Sequence, residues 1–395
     1  MRVLGTSSYG ILTSALALSM ILSLASDFGT TVYTVREVAK APEKASLFFS
    51  NLLCARLVLG AFISLSVPLI SHALGYGEAA SNALLAAAFY AVLLKVLGTC
   101  RAQYRAFEVM RYEALSLILE RGLVILCGSW LLLSTKTPAG ALTGMAIGIA
   151  ISLVLNVAWV HYRVVAFDIR LVRLSFLKEV FQAAFPIGTF VTFAIIYGRI
   201  GPVLLEQWDG EVAAGLYGAA SRILELLIAI PMIVSTAALP RFANLQAGNH
   251  KEALHRVLRT SVLVMGAISL VVAVALSFAG PSLIHILSPD PDFASAGSLL
   301  QLLIWVFPLI TLTMLLSQSL IANDELKLLA VMKFATMALF IVLNIVLIPR
   351  FSIFGTAWSM LITEFVLLAG LGTRYVQINR RQARIQSSLE EPTYP

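Results

Sequence analysis

The run LFFSNLLCARLVLGAFISLSVPLISH, residues 47–72, decides the fold. A bilayer crossing takes about 20 mostly apolar residues, and this run exceeds that. Its apolar residues are near-continuous and do not alternate with polar ones, so it reads as a helix rather than a barrel strand. Arg56 is its one Lys, Arg, Asp or Glu. A charge at mid-bilayer costs about 2.5–3.5 kcal/mol on insertion scales, which makes such a residue a site candidate by default.

The same pattern recurs on both sides of this run. Eleven spans are expected, near Tyr9–Tyr33, Leu47–His72, Ala83–Arg105, Glu113–Ser134, Gly140–Val164, Ala183–Glu206, Val212–Ala237, Arg259–Leu287, Gly297–Leu320, Lys327–Pro349 and Phe354–Tyr375. The longest loop, Ala238–Leu258, has room only for a short amphipathic helix, so no soluble domain fits. The expected fold class is all-α and polytopic. Composition agrees: 59% of the residues are apolar, 12% are charged and mean hydropathy is +0.89. A soluble domain carries about 25% charged residues, so a soluble globular enzyme, a disordered chain and a coiled coil are excluded.

Lys and Arg orient the spans. Nineteen of the 28 lie in or beside the odd-numbered loops and the tail, three lie in the even-numbered loops and at the N-terminus, and six lie within spans. Cytoplasmic loops carry the basic excess. The C-terminus is therefore expected inside and the N-terminus outside, in a multi-pass protein of the cytoplasmic membrane. Met1–Thr6 precedes the first span without the apolar region of a signal peptide.

The remaining motifs exclude more than they assign. Cys54, Cys100 and Cys127 have no CxxC or disulfide spacing and read as small buried residues. His250 and His255 lack the i, i+4 spacing of a helical metal pair. No GxxxxGK[ST], GxSxG or HExxH occurs, so no nucleotide-hydrolysing motif is present. No metal, cofactor or nucleic acid is expected.

The chain has two related halves, a common transporter plan. SYGILTSALALSMIL at Ser8 lies over LYGAASRILELLIAI at Leu216, each starting from a Tyr-Gly pair, and LVLGAFISL (57–65) lies over VLVMGAISL (262–270). The second half has a span before its Tyr-Gly pair, Ala183–Glu206, and the first half has none. Five spans plus six imply that the first helix of a 6+6 arrangement is missing, through a misassigned start or a truncation. The expected division is an N-terminal lobe over 1–165, a cytoplasmic amphipathic linker over 166–182, a C-terminal lobe over 183–379 and a disordered tail over 380–395. The linker RVVAFDIRLVRLSFLKEVFQAAF (163–185) repeats Leu174, Phe176, Leu177, Val180, Phe181 and Ala184 at helical spacing. It reads as a helix on the inner leaflet, or as an extension of the next span. Lys251–Arg259 reads as a second short basic helix on that side.

From Ala183 onward the order of features is specific: IIYGRIGPVLLEQW (195–208), AAGLYGAASRILELLIAIPMIVSTAALPRFANL (213–245), LIANDELKLL (320–329) and LNIVLIPRFSIFGTAWSMLITEF (343–365). The first half contributes LGTSSYGIL (4–12), SDFGTTVYTVREVA (26–39) and RAFEVMRYEALSLILERG (105–122). Together these resemble the polysaccharide or oligosaccharide flippases (Wzx-type) of the multidrug/oligosaccharidyl-lipid/polysaccharide (MOP) exporter superfamily. The resemblance implies movement of a lipid-linked glycan, of the undecaprenyl-pyrophosphate type, across the cytoplasmic membrane by alternating access, without enzymatic chemistry. It implies O-antigen or lipopolysaccharide export as the setting, and the pathway's polymerase and glycosyltransferases as partners of a monomer. Family members commonly have an acidic residue before the basic one matching Arg199. This chain has Gly198 there, which puts ion coupling at that position in doubt.

The intramembrane cations are Arg56, Lys95, Arg121, Arg199, Arg222 and Lys333, and the acids are Asp27, Glu120, Glu225 and Glu364. Lys333 reads as snorkelling to the inner interface. The other five cations are candidates for a cationic, water-filled cavity that takes a pyrophosphate headgroup: Arg supplies a planar fork for phosphate oxygens and Lys a point charge. Alternatively these charges form structural ion pairs. Arg222 and Glu225, at i, i+3, lie on one helix face. Glu120 and Arg121 point about 100° apart and are expected not to pair. Asp27, Glu120, Glu225 and Glu364 are candidates for charge pairing or for coupling to a proton or sodium gradient. Gly140, Gly144 and Gly148 form a close-packing face. Pro68, Pro186, Gly201, Pro202, Pro231 and Pro308 interrupt spans, with Pro231 and Gly201-Pro202 the candidate hinges. The rivals are a multidrug or small-molecule exporter of the same superfamily, which would favour an acidic cavity, and a membrane glycan polymerase or glycosyltransferase, for which the outer loops are short.

Overall fold

In the computed structural model the described residues are 2–247, 251–322 and 325–390, and the described side chains are those of 2–235, 253, 256–321, 325 and 327–377. Among them there is no strand. The helices are α1 (Gly5–Leu22), α2 (Leu24–Asp27), α3 (Thr30–Lys40), α4 (Ala45–Ala73), α5 (Glu78–Ala106), α6 (Met110–Thr135), α7 (Pro138–Arg163), α8 (Leu174–Ala247), α9 (Lys251–Leu287), α10 (Ala294–Leu303), α11 (Val306–Ala322), α12 (Leu326–Phe351) and α13 (Ile353–Glu390).

Among the described residues, apolar helices cover all eleven expected spans, with three differences in how the backbone makes them. The first, Gly5–Lys40, is broken at Phe28 (φ 34°) and Gly29 (φ 76°). A Cβ on Gly29 would lie 2.6 Å from the Gly188 backbone, so this position needs glycine for conformation and for close approach alike. The apolar part of α8, Leu174–Ser235, has 62 residues and would be about 93 Å long as one straight helix, far more than one crossing. Gly210, at φ 87° and ψ 177°, divides it into two spans. The ninth expected span is a pair, Pro291–Leu303 and Val306–Ile321, bent by 44°. The bend precedes Pro308, which sits in the first turn of α11 where its missing N–H does no harm. The helix passes through Gly201, Pro202 and Pro231 without non-helical backbone, so the interruption in α8 is at Gly210 and not at those candidate hinges.

Of the two readings of the linker, residues 174–182 follow the second: they are the start of α8, continuous with the span that follows. Their apolar face packs on protein: Val180 and Ala184 are buried, and Phe176 meets Phe48 edge-on at 5.0 Å. Residues 251–259 are likewise the first turns of α9. The tail expected to be disordered from residue 380 is helical to Glu390, in line with its Arg, Gln, Ala and Leu content. Residues 391–395, and the side chains of Arg241, Lys251, Arg380, Arg381 and Arg384, lie outside the described residues.

Packing divides the chain into two compact units, Met1–Gly218 and Ala219–Pro395, a boundary later than the 166–182 join of the repeats. In the first unit α5 is central and touches α1, α3, α4 and α7. Helix α6 packs mainly on α7 through the expected glycines: a Cβ on Gly144 would lie 2.3 Å from the Cys127 carbonyl oxygen, and one on Gly148 2.5 Å from that of Leu123. The GxxxGxxxG face is therefore used within the chain. The two Tyr-Gly segments also meet, because a Cβ on Gly10 would overlap the Glu211 carbonyl oxygen at 1.8 Å and one on Gly218 would lie 2.5 Å from Thr13 Oγ1. The extended segment before α8 is stitched to the start of α4. Asn51 donates to the Leu171 carbonyl at 2.8 Å and accepts from the Arg173 N–H at 2.7 Å, while Ser50 accepts from the Asp168 N–H at 2.9 Å. In the second unit α9 packs on α10 and α11, and α13 on α10, α11 and α12.

Candidate functional site

The break in the first span gathers the deepest charges of the first unit. Asp27 ends α2, and its carboxylate faces the exposed N–H groups that open α3. Oδ1 accepts from the Thr31 N–H at 3.1 Å and from the Thr31 hydroxyl at 2.8 Å, as a capping side chain does. The same oxygen receives Arg56 Nη2, from α4, at 2.6 Å. Arg56 Nη2 also donates to Thr30 and Thr31 Oγ1 at 2.8 Å each, and Nη1 donates to the Lys95 carbonyl at 2.8 Å and to Thr99 Oγ1 at 2.9 Å. Lys95 Nζ, from α5, stands 3.6 Å from Asp27 Oδ2.

Burial separates the roles within this network. Arg56 is 0% exposed and both its Nη groups are engaged, so it holds the break together. The Lys95 side chain is 21% exposed and is the cation the network presents outward. Two cations against one acid leave the network one unit positive. A broken helix at membrane depth occurs where its freed backbone groups are satisfied by protein or line a cavity, and half-helix N-termini attract anions. An arrangement of this kind can hold and guide an anionic headgroup.

The other expected charges lie apart from this network. Glu120, fully buried on α6, accepts a hydrogen bond from Arg101 Nη2, and Arg101 Nε donates to Ser116 Oγ at 3.2 Å. Arg121 approaches the same carboxylate, Nε to Oε1 3.7 Å, which corrects the expectation that these neighbours stay apart: a long side chain bends back where Cβ directions diverge. Arg199 lies half-buried in the span before Gly210. In the second unit Arg222 pairs with Glu225 at 3.1 Å, as the i, i+3 spacing implies. Glu364 is 2% exposed and accepts from Thr313 at 3.2 Å. Arg374 pairs with Glu325 at 2.6 Å. Outside the spans, burial pushes the Tyr76 hydroxyl well above the ordinary phenol range, and the Glu206 carboxylate beside it adds to the shift. Among the described residues no three His, Cys, Asp or Glu side chains form a metal-holding group.

Sequence reading missed Thr30, Thr31 and Thr99 as partners of Arg56, and did not single out Arg101 as the partner of Glu120. The signal for the threonines was present in SDFGTT, where an acid, a glycine and two hydroxyls in a row mark a helix restart. For Arg101 no local signal exists, since its partner comes from another helix.

Residues 1–246 match the family described as polysaccharide biosynthesis protein. The chain belongs to this family. Residues 186–346 also match the MatE family. No curated protein matches the chain in sequence. Among solved structures it is similar to a multidrug resistance MATE family transporter of the MOP superfamily in an inward-facing conformation, with 16% identity, 96% of each chain covered and a TM-score of 0.76. A MOP superfamily transporter from Pyrococcus furiosus, whose binding pocket is described as of reverse polarity, has 15% identity and a TM-score of 0.65 over 93% of this chain and 87% of its own. The eukaryotic MATE transporter AtDTX14 has 15% identity and a TM-score of 0.64 over 96% and 90%. At these identities the likeness is one of fold. The candidate spans and this likeness give the chain the fold of a multi-pass membrane protein similar to these transporters.

Proposed function

We propose that the protein flips a lipid-linked oligosaccharide, carried on a pyrophosphate of the undecaprenyl type, across the cytoplasmic membrane by alternating access between an N-terminal and a C-terminal lobe. Its C-terminus faces the cytoplasm. The observation that carries this reading is the net positive charge at the broken first span, where Asp27 is engaged by Arg56 and Lys95 is presented. A compact, multiply charged phosphate anion gains most from such a site. Lys95 and Arg199 are the cations of the first unit proposed to meet the headgroup, and Arg222 is the separate candidate of the second. Arg56 acts by positioning, and Glu364 is the acid proposed for coupling to a proton or sodium gradient. The reading assigns transport and no enzymatic step. It places the protein in cell-surface polysaccharide export, for instance of O-antigen or lipopolysaccharide, alongside a polymerase and glycosyltransferases.

Multidrug export is the second reading, and the MATE fold favours it. At the broken first span a cationic drug would need an uncompensated acid, whereas Asp27 there already holds two cations. The test is glycan export in cells carrying Lys95→Ala, Lys95→Arg or Arg222→Ala, with protein levels matched. Lys95→Ala is expected to lose export and Lys95→Arg to retain part of it. Full export by Lys95→Ala and Arg222→Ala alike, or resistance to cationic drugs conferred by the wild type, overturns the flippase reading.

A further inference from the structure

We propose that Arg121 binds the phosphate of an anionic phospholipid at the surface of α6. The Arg121 side chain is 66% exposed. Its neighbours on the helix surface at i−4, i−3 and i+4 are Leu117, Ile118 and Ile125, exposed by 37%, 70% and 64%. An exposed apolar patch on a membrane helix is a surface for lipid, and a guanidinium within it needs a counter-charge there.

The protein supplies only part of one. Glu120 is fully buried, and its Oε2 is taken by Arg101 Nη2. Arg121 Nε shares the remaining oxygen from 3.7 Å, a distance beyond hydrogen bonding. Arg101, Glu120 and Arg121 together carry one net positive charge, and Arg121 is the member that carries it to the surface. Its position follows Met110, the start of α6, by eleven residues, or about 16 Å. Side chains on a helix tilt toward its N-terminus, so Arg121 leans toward the Met110 end, the cytoplasmic end in the orientation expected from the loop charges. A phosphodiester drawn down from that leaflet meets the guanidinium fork with two oxygens. The contact is independent of what the transporter carries.

The test is native mass spectrometry of the whole protein in detergent, titrated with phosphatidylglycerol. Arg121→Gln is expected to weaken the first bound phosphatidylglycerol about tenfold, the loss of one charge-assisted contact. Arg121→Lys is expected to keep most of the affinity, and Arg111→Gln, at the exposed start of α6, all of it. Phosphatidylcholine is expected to bind more weakly than phosphatidylglycerol, and inorganic phosphate to add nothing. Unchanged binding in Arg121→Gln, an equal loss in Arg111→Gln, equal affinity for phosphatidylcholine, or saturation by inorganic phosphate alone would each overturn the proposal.

Discussion

Replacing Asp27 by Asn tests whether the charge network holds the broken first span. The substitution keeps a side-chain oxygen for the Thr31 N–H, so the cap on α3 survives and the charge alone is removed. Arg56 then stays at 0% exposure with only neutral acceptors: Thr30, Thr31, Thr99 and the Lys95 carbonyl. Removing one partner of a buried pair costs about 3–5 kcal/mol. Lys95 Nζ, 3.6 Å from the lost charge, adds an unbalanced cation nearby. For a unit of 218 residues, each kcal/mol moves Tm by about 2–4 °C, so the expected drop is about 6–20 °C. The assay is thermal unfolding of the detergent-solubilised protein followed by tryptophan fluorescence. Arg56→Met alone is expected to destabilise as well, because it leaves Asp27 with Lys95 as its one remaining cation in this network. The double substitution removes both charges and is expected to be milder than the sum of the two, with a coupling of at least about 1 kcal/mol. An Asp27→Asn protein melting within about 2 °C of wild type, the shift of a single kcal/mol or less, would refute the reasoning, as would strict additivity in the double variant.

Three further outcomes follow from the packing. Gly144→Val places a methyl-bearing carbon 2.3 Å from the Cys127 carbonyl oxygen and forces α6 from α7; the expected loss is about 1–3 kcal/mol, read as a lower Tm. Asn51→Ala leaves the Leu171 carbonyl and the Arg173 N–H without their partner at about 1–3 kcal/mol, and hydrogen exchange over residues 164–173 should speed up while α5 is unchanged. Arg222→Ala breaks a pair whose arginine is 64% exposed, so stability should change by no more than about 0.5 kcal/mol; any loss of glycan export then belongs to transport and not to folding.

Most of the fold was legible from the residues, and the charge pairing was legible only where it was local. Arg222 and Glu225 were paired correctly because i, i+3 spacing fixes their geometry on one helix. The close face of Gly140, Gly144 and Gly148 was read correctly because small residues at helical spacing can do little else in lipid. The amphipathic stretch 174–184 was left open between an interfacial helix and an extension of the next span, because its period shows which face is apolar and not what that face touches; Phe48 packs on it and it is the extension. The break at Phe28–Gly29 hid inside an apolar run, since hydropathy averages over a window and does not register two left-handed residues.

The sequence by itself determined that the described residues form apolar helices long enough to cross a membrane, and its loop charges carry the expectation for the face each loop takes. Both rest on properties summed along the chain: the transfer free energy of a segment and the Lys and Arg count of a loop. Only the tertiary structure decided which intramembrane charges are satisfied and which are presented. Asp27 and Arg56 are 29 residues apart and come from different helices, as do Arg101 and Glu120 at a separation of 19. Each pairing depends on how α2, α4, α5 and α6 pack, and a buried charge is stable only where that packing brings it a counter-charge. The six intramembrane cations of the sequence thereby sort into Arg56, enclosed and structural, Lys95, Arg199 and Lys333, partly buried, and Arg121 and Arg222, exposed.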